Sequence, residues 1–146
     1  MAFTGNYTCN VFRTGLLDGT YDFGTGTTDV FKIALYTNEA TLDATTTAYT
    51  STGEVVASGY TAGGETLVIS QVPTTGNAPN TTAYLSFSNA SWTGAFTARG
   101  ALIYKFNGTT NPAVCVLDFG SNKTSVNTFV VQFPAATETS AIIRIA

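Results

Sequence analysis

The stretch Phe96-Thr-Ala-Arg-Gly-Ala-Leu-Ile-Tyr-Lys-Phe106 decides the fold class. From Ala101 on, it combines aliphatic and aromatic residues with a single lysine. Leu102, Tyr104 and Phe106 fall on one side of an extended chain, and Ala101, Ile103 and Lys105 on the other. Such a segment reads as a strand covered on one face and nearly covered on the other. Three further apolar runs follow it: Ala113–Phe119, Phe129–Phe133 and Ala141–Ile145. Phe106 is followed by Asn107, Phe119 by Gly120 and Phe133 by Pro134, residues that favour turns, and Ser140 precedes the last run.

Upstream, Phe31–Tyr36 alternates as a strand with Phe31, Ile33 and Leu35 on one face. Glu54–Ala57, Glu65–Val72 (stopped by Pro73) and Thr82–Ser88 read as further strands, and Ser91–Thr93 carries the single tryptophan, Trp92, which reads as a packing residue. Gly59–Gly64 is a turn built on three glycines, and Thr74–Asn80 a loop. The stretch Asn38–Ser51 reads as an ordered loop with a helical turn near Leu42–Thr46. The one helical period lies in residues 7–17, with apolar positions 7, 11, 12 and 16; Gly15 weakens it and Asp18-Gly19 ends it. Thr20–Asp29 is a loop. The expected architecture is therefore one all-β domain over residues 1–146. It is an antiparallel β-sandwich of about eight strands, jelly-roll-like or immunoglobulin-like. Residues 1–30 form an N-terminal arm or short helix and loop.

The composition agrees. Threonine, β-branched and strand-favouring, makes up 28 of the 146 residues, while charged residues amount to 10%. The net charge is −3 and the six basic residues are scattered, so nucleic acid is not an expected partner. No apolar run approaches the ~20 residues of a membrane-spanning helix. Met1–Asn6 has neither a charged start nor an apolar block, so no secretion signal is expected. Cys115 sits in an apolar run and reads as a small buried hydrophobe. Its pairing with Cys9, 106 positions away, is not expected without an export route. The Asn-X-Ser/Thr triplets at Asn6, Asn80, Asn89, Asn107 and Asn122 follow from the composition.

Chemistry is thinly represented. Histidine is absent, which removes the commonest general base and the commonest zinc ligand. Asp18, Asp22 and Asp29 share a Gly/Thr loop that could hold calcium, but their spacing matches no EF-hand and turn capping is the expected role. Among Glu39, Asp43, Glu54, Glu65 and Asp118 a sugar-cleaving enzyme would need a pair across a cleft. Asp118 is expected to bind a turn amide or to pair with Arg99 or Lys105. No catalytic, cofactor-binding or metal-ligating residue is expected, and no enzymatic activity.

Several segments together resemble small virion proteins of tailed bacteriophages. They are Met1-Ala-Phe-Thr-Gly-Asn-Tyr7, Phe31-Lys-Ile-Ala-Leu-Tyr-Thr37 with Ala40–Tyr49, Ser58-Gly-Tyr-Thr-Ala-Gly-Gly64, Val116-Leu-Asp-Phe-Gly120 and Ala141-Ile-Ile-Arg-Ile145. The resemblance implies a structural role in the particle: a capsid decoration (cement) protein that binds the major capsid protein, located in the virion and made in the host cytoplasm. Tail, baseplate or head-fibre component is the alternative within that group. It further implies a homo-oligomer, with a trimer as the expected state. A carbohydrate- or receptor-binding module is the competing class. Trp92, Tyr60 or Tyr84 lining one open groove would favour it.

Overall fold

The computed structural model describes residues 3–77, 79 and 81–146. It is mostly β, with one short helix, and every strand pairing is antiparallel. In chain order the elements are β1 (Tyr7–Thr8), α1 (Asn10–Asp18), β2 (Val30–Tyr36), β3 (Glu65–Thr66), β4 (Ile69–Thr75), β5 (Ala83–Phe87), β6 (Ala90–Thr93), β7 (Thr97–Phe106), β8 (Ala113–Thr124), β9 (Thr128–Val131) and β10 (Ile143–Ile145). The largest sheet has the order β1-β8-β7-β2-β3; β10-β5-β4 and β6-β9 form two smaller ones.

The Phe96–Phe106 segment supplies the middle strand of the largest sheet. β7 pairs with β2 on one side and β8 on the other, and its residues Gly100–Tyr104 are all buried. Burial on both faces explains why the run is nearly continuous in apolar residues rather than strictly alternating. Tyr104 keeps its hydroxyl satisfied by donating to the Gly63 carbonyl at 2.7 Å.

One ring cluster joins two sheets. Phe23 stacks on Phe31 of β2 at 4.3 Å between centroids and meets Phe87 of β5 edge-on at 6.3 Å. Phe31 itself lies 6.3 Å from Phe87. A second cluster surrounds Trp92, with Tyr60 at 6.1 Å and Phe129 at 6.2 Å. The tryptophan is a packing residue, 3% exposed. Such ring pairs contribute ~0.5–1.5 kcal/mol each beyond the area they bury.

Four expectations are corrected by the backbone. First, Glu54–Ala57 is not a strand: only a single bridge between Tyr36 and Glu54 forms, because the Glu54 side chain turns inward to ligate a turn. Second, Glu65–Val72 is not one strand. Glu65–Thr66 pairs with β2, after which the chain crosses to the β5 side. Leu67 N–H still donates to Phe31, but the Val68 carbonyl already accepts from Ser88. Third, Pro73 does not stop β4. β4 is the outer strand of its sheet, and the register shifts between Ile69 and Gln71 and between Gln71 and Thr74 leave the proline without a ladder bond to donate. The loop expected at Thr74–Asn80 therefore begins two residues later, and its positions 78 and 80 lie outside the described residues. Fourth, the helix starts at Asn10 rather than Tyr7, since Tyr7–Thr8 pairs with Val116 and Cys115 of β8. The turn expected near Leu42–Thr46 is present, closed by Thr46 N–H on the Asp43 carbonyl at 3.1 Å.

The N-terminal segment is part of the core. Phe3, Cys9, Phe12, Tyr21 and Phe23 are all buried, and the Tyr21 hydroxyl donates to the Ala113 carbonyl at 2.7 Å. Gly15, which weakens the helix by propensity, is required by this packing: a Cβ there would lie 2.3 Å from the Tyr21 ring. Within residues 3–30 the chain forms β1 and α1 and is stitched into the largest sheet through β8 and Ala113.

β8 carries a wide bulge. Ala98 faces Lys123 and Gly100 faces Asp118, so the single residue Arg99 stands opposite the four residues Phe119–Asn122. Gly120 takes φ +80° inside it, and Asp118 fastens it by accepting from the Gly120 amide at 2.7 Å and pairing with Arg99.

Candidate functional site

The acidic residues singled out by sequence are distributed, and all but Glu39 and Glu65 have a local task. Asp18 accepts from the Thr20 amide and hydroxyl just past the helix end. Asp22 accepts from the Gly24 amide, and Asp29 accepts from the Asp22 amide at 2.8 Å while pairing with Lys105 at 2.9 Å. Asp43 accepts from the Thr45 amide and hydroxyl, which hold its carboxyl below the usual carboxylate range. Asp118 takes Arg99 rather than Lys105, and that guanidinium lowers its pKa as well. Glu39 and Glu65 are exposed. Among the described residues no three His, Cys, Asp or Glu side chains gather in a way that could hold a metal ion.

Glu54 is the exception in burial. Its carboxylate accepts from the Tyr60 hydroxyl at 2.7 Å, the Tyr49 hydroxyl at 2.6 Å and the Gly63 amide at 2.7 Å. Tyr60 also accepts from the Leu35 amide of β2 at 2.8 Å, so the carboxylate is tied through it to the central sheet. The turn can come this close because Gly59, Gly63 and Gly64 all have positive φ. At Gly64 a Cβ would lie 1.8 Å from the Ile33 carbonyl oxygen. In the sequence Glu54 is one of five scattered acids with Glu39, Asp43, Glu65 and Asp118, and the glycines at 59, 63 and 64 mark only the turn that comes to it. These bonds make the carboxylate an anchor between the turn and the central sheet.

The surrounding hydroxyls carry a pH signature. Burial, then the coulombic effect of Glu54, raises Tyr104 to about 12. Burial, then the charges of Cys9 and Asp18, raises Tyr21 to about 12. Tyr36, Tyr49 and Tyr60 are pushed up as well, burial being the largest cause in each. A tyrosine whose folded pKa exceeds the ordinary 10.0 lends stability that is complete below that value and is lost as pH rises through the folded one. The expected outcome is a melting temperature that falls steeply from pH 10 to 12. Tyrosinate absorbance should appear together with unfolding rather than before it; early ionisation of most tyrosines in the folded protein would contradict the arrangement.

The two thiols are unpaired and buried. Burial raises Cys9 to about 12 and pushes Cys115 up further, so neither is a nucleophile in the folded chain.

The aromatics named for a binding module do not converge. Tyr60 is 9% exposed and sits with Trp92 in the core, whereas half-buried Tyr84 lies on β5 beside a different, apolar groove. Outward-facing apolar residues are found elsewhere. Val56, 97% exposed, and Val126, 80% exposed, occupy two loops that each touch Gly94: the Ser58 carbonyl lies against it, and the Ser125 hydroxyl donates to its carbonyl. Sequence periodicity could not single these out, because both sit in loops. Among the described residues no helix is long and apolar enough to cross a membrane.

A cleft runs between β1, the last strand of the largest sheet, and β10, the last strand of another. Its apolar half, about 360 Å³, lies between helix α1 and β10. Its polar half, about 270 Å³, continues past Thr8 towards Ser140 and Pro134.

No protein-family model matches this chain, and neither a curated protein nor a solved structure matches it significantly.

Proposed function

We propose that the chain is a structural protein of a bacteriophage particle, a decoration protein that attaches to the major capsid protein and works as a homo-oligomer. The observation that carries this reading is where the side chains are spent. The buried carboxylate anchors a turn and the ion pairs fasten a bulge and a loop, while apolar residues point outward from loop tips and edge strands. That is the outlay of a molecule that holds a shape and presents surfaces. The ring contacts between β2 and β5 support reading the two larger sheets as the layers of a β-sandwich, a rigid body suited to such a role. A surface polar through Thr, Ser and Asn but low in charge lets copies stand side by side with little mutual repulsion. The segments resembling small phage virion proteins point the same way.

The test is binding to empty shells of the phage that encodes the chain. Co-sedimentation and a raised shell melting temperature are expected. Retention on immobilised sugars with no effect on shells would replace this reading with a carbohydrate-binding one. Binding to purified tails but not to shells would move the protein within the particle.

A further inference from the structure

The cleft between β1 and β10 has three features that belong together. Both flanking strands, β1 and β10, end their sheets, so each has one side without a neighbouring strand. The walls of its larger half are apolar, contributed by Phe12 and Leu16 of the helix and by Ile143 and Ile145 of β10. Arg13 and Arg144 stand on the same walls. Among the described residues the ion pairs are Arg99–Asp118 and Lys105–Asp29, so neither of these arginines has a carboxylate partner, in a chain where acids outnumber bases. Each guanidinium is steadied through one nitrogen on a carbonyl, Arg13 on Thr8 at 3.1 Å and Arg144 on Thr139 at 2.7 Å, which leaves its other donors available.

We propose that this cleft receives an extended segment of a partner protein that carries alternating apolar side chains and at least one carboxylate. Strand addition satisfies the free backbone groups of an edge, and every second side chain of the added strand enters the apolar trough. The carboxylate is set by charge complementarity with Arg13 and Arg144, whose planar guanidinium groups bind carboxylates through paired hydrogen bonds. Leu17, 90% exposed beside the trough, becomes part of the covered rim. This inference is independent of the particle reading, and its test uses no phage component, so either can fail alone.

The experiment uses the full chain and fluorescein-labelled synthetic peptides: one of alternating valine and glutamate, one of alternating valine and lysine, one of alternating serine and glutamate. Fluorescence anisotropy should show saturable binding of the valine–glutamate peptide and weak or no binding of the other two. The double variant Arg13→Glu with Arg144→Glu should bind it about tenfold more weakly or worse, the order expected for reversing contacts to a carboxylate. Its thermal melt is recorded alongside. If that variant does not fold, Arg13→Gln with Arg144→Gln serves in its place, with the same expectation. Equal binding of all three peptides, no binding of the valine–glutamate peptide, or undiminished binding by the folded variant would overturn the proposal. So would light scattering that shows a wild-type oligomer dissociated by the variant, since a second copy would then be the occupant.

Discussion

A chain lacking residues 1–23 is expected to remain unfolded. The deletion takes Phe3, Phe12, Tyr21 and Phe23 out of the core. At roughly 1.5–3 kcal/mol for each large apolar side chain buried, the loss is on the order of 10 kcal/mol. That equals the whole stability of an ordinary domain, about 5–15 kcal/mol. The damage reaches the central sheet. Phe3 fills the space left open at Gly100 of β7, where a Cβ would meet its ring at 2.4 Å, and Phe23 stacks on Phe31 of β2. Far-UV circular dichroism and one-dimensional NMR of the truncated chain check this. A cooperative melt with dispersed amide signals would show that the sheets stand without their N-terminal plug.

Replacing Glu54 by alanine is expected to destabilise the protein by about 3–5 kcal/mol. The substitution orphans the Tyr60 hydroxyl, the Gly63 amide and the Tyr49 hydroxyl together. An unsatisfied buried donor costs ~1–3 kcal/mol, and Tyr49, being only half-buried, regains part of its share from water. Glu54→Gln is expected to cost less, about 1–3 kcal/mol, because one carboxylate oxygen is kept while the other becomes a donor facing a donor. Urea denaturation measures both. A loss below about 1 kcal/mol for the alanine variant would mean that the turn over Gly59–Gly64 rearranges freely, and the anchoring role would be abandoned.

What the sequence made legible follows from which forces act locally. The strand in Ala101–Phe106 was readable because burial on two faces leaves a dense apolar signature in a few consecutive residues. The turn at Gly59–Gly64 was readable because positive φ selects glycine. Gly15 was misleading: by propensity it weakens a helix, and only the Tyr21 ring, six residues on, explains why nothing larger fits. Pro73 misled in the same manner, since its cost depends on whether the strand has a neighbour on that side, which is a property of the sheet. The split of Glu65–Thr75 into β3 and β4 was hidden because a run that changes sheets keeps its residue types throughout. The cleft was hidden more deeply. Arg13 and Ile143 are 130 positions apart, and only the closure of the two sheets brings their elements to one groove.

The turn around Gly120 also bears on which edges of this weakly charged molecule are open to pairing. With a net charge of −3, electrostatic repulsion between copies is slight, and long-range colloidal protection is small. The outer rim of β8 beyond its contact with β1 would, if straight, offer a continuous template for indiscriminate zipping of one molecule to the next. Four residues crowded opposite one make that rim crooked, so a flat neighbour cannot run its ladder past Phe119–Asn122. Backbone shape, more than charge, thus hinders strand pairing along this rim.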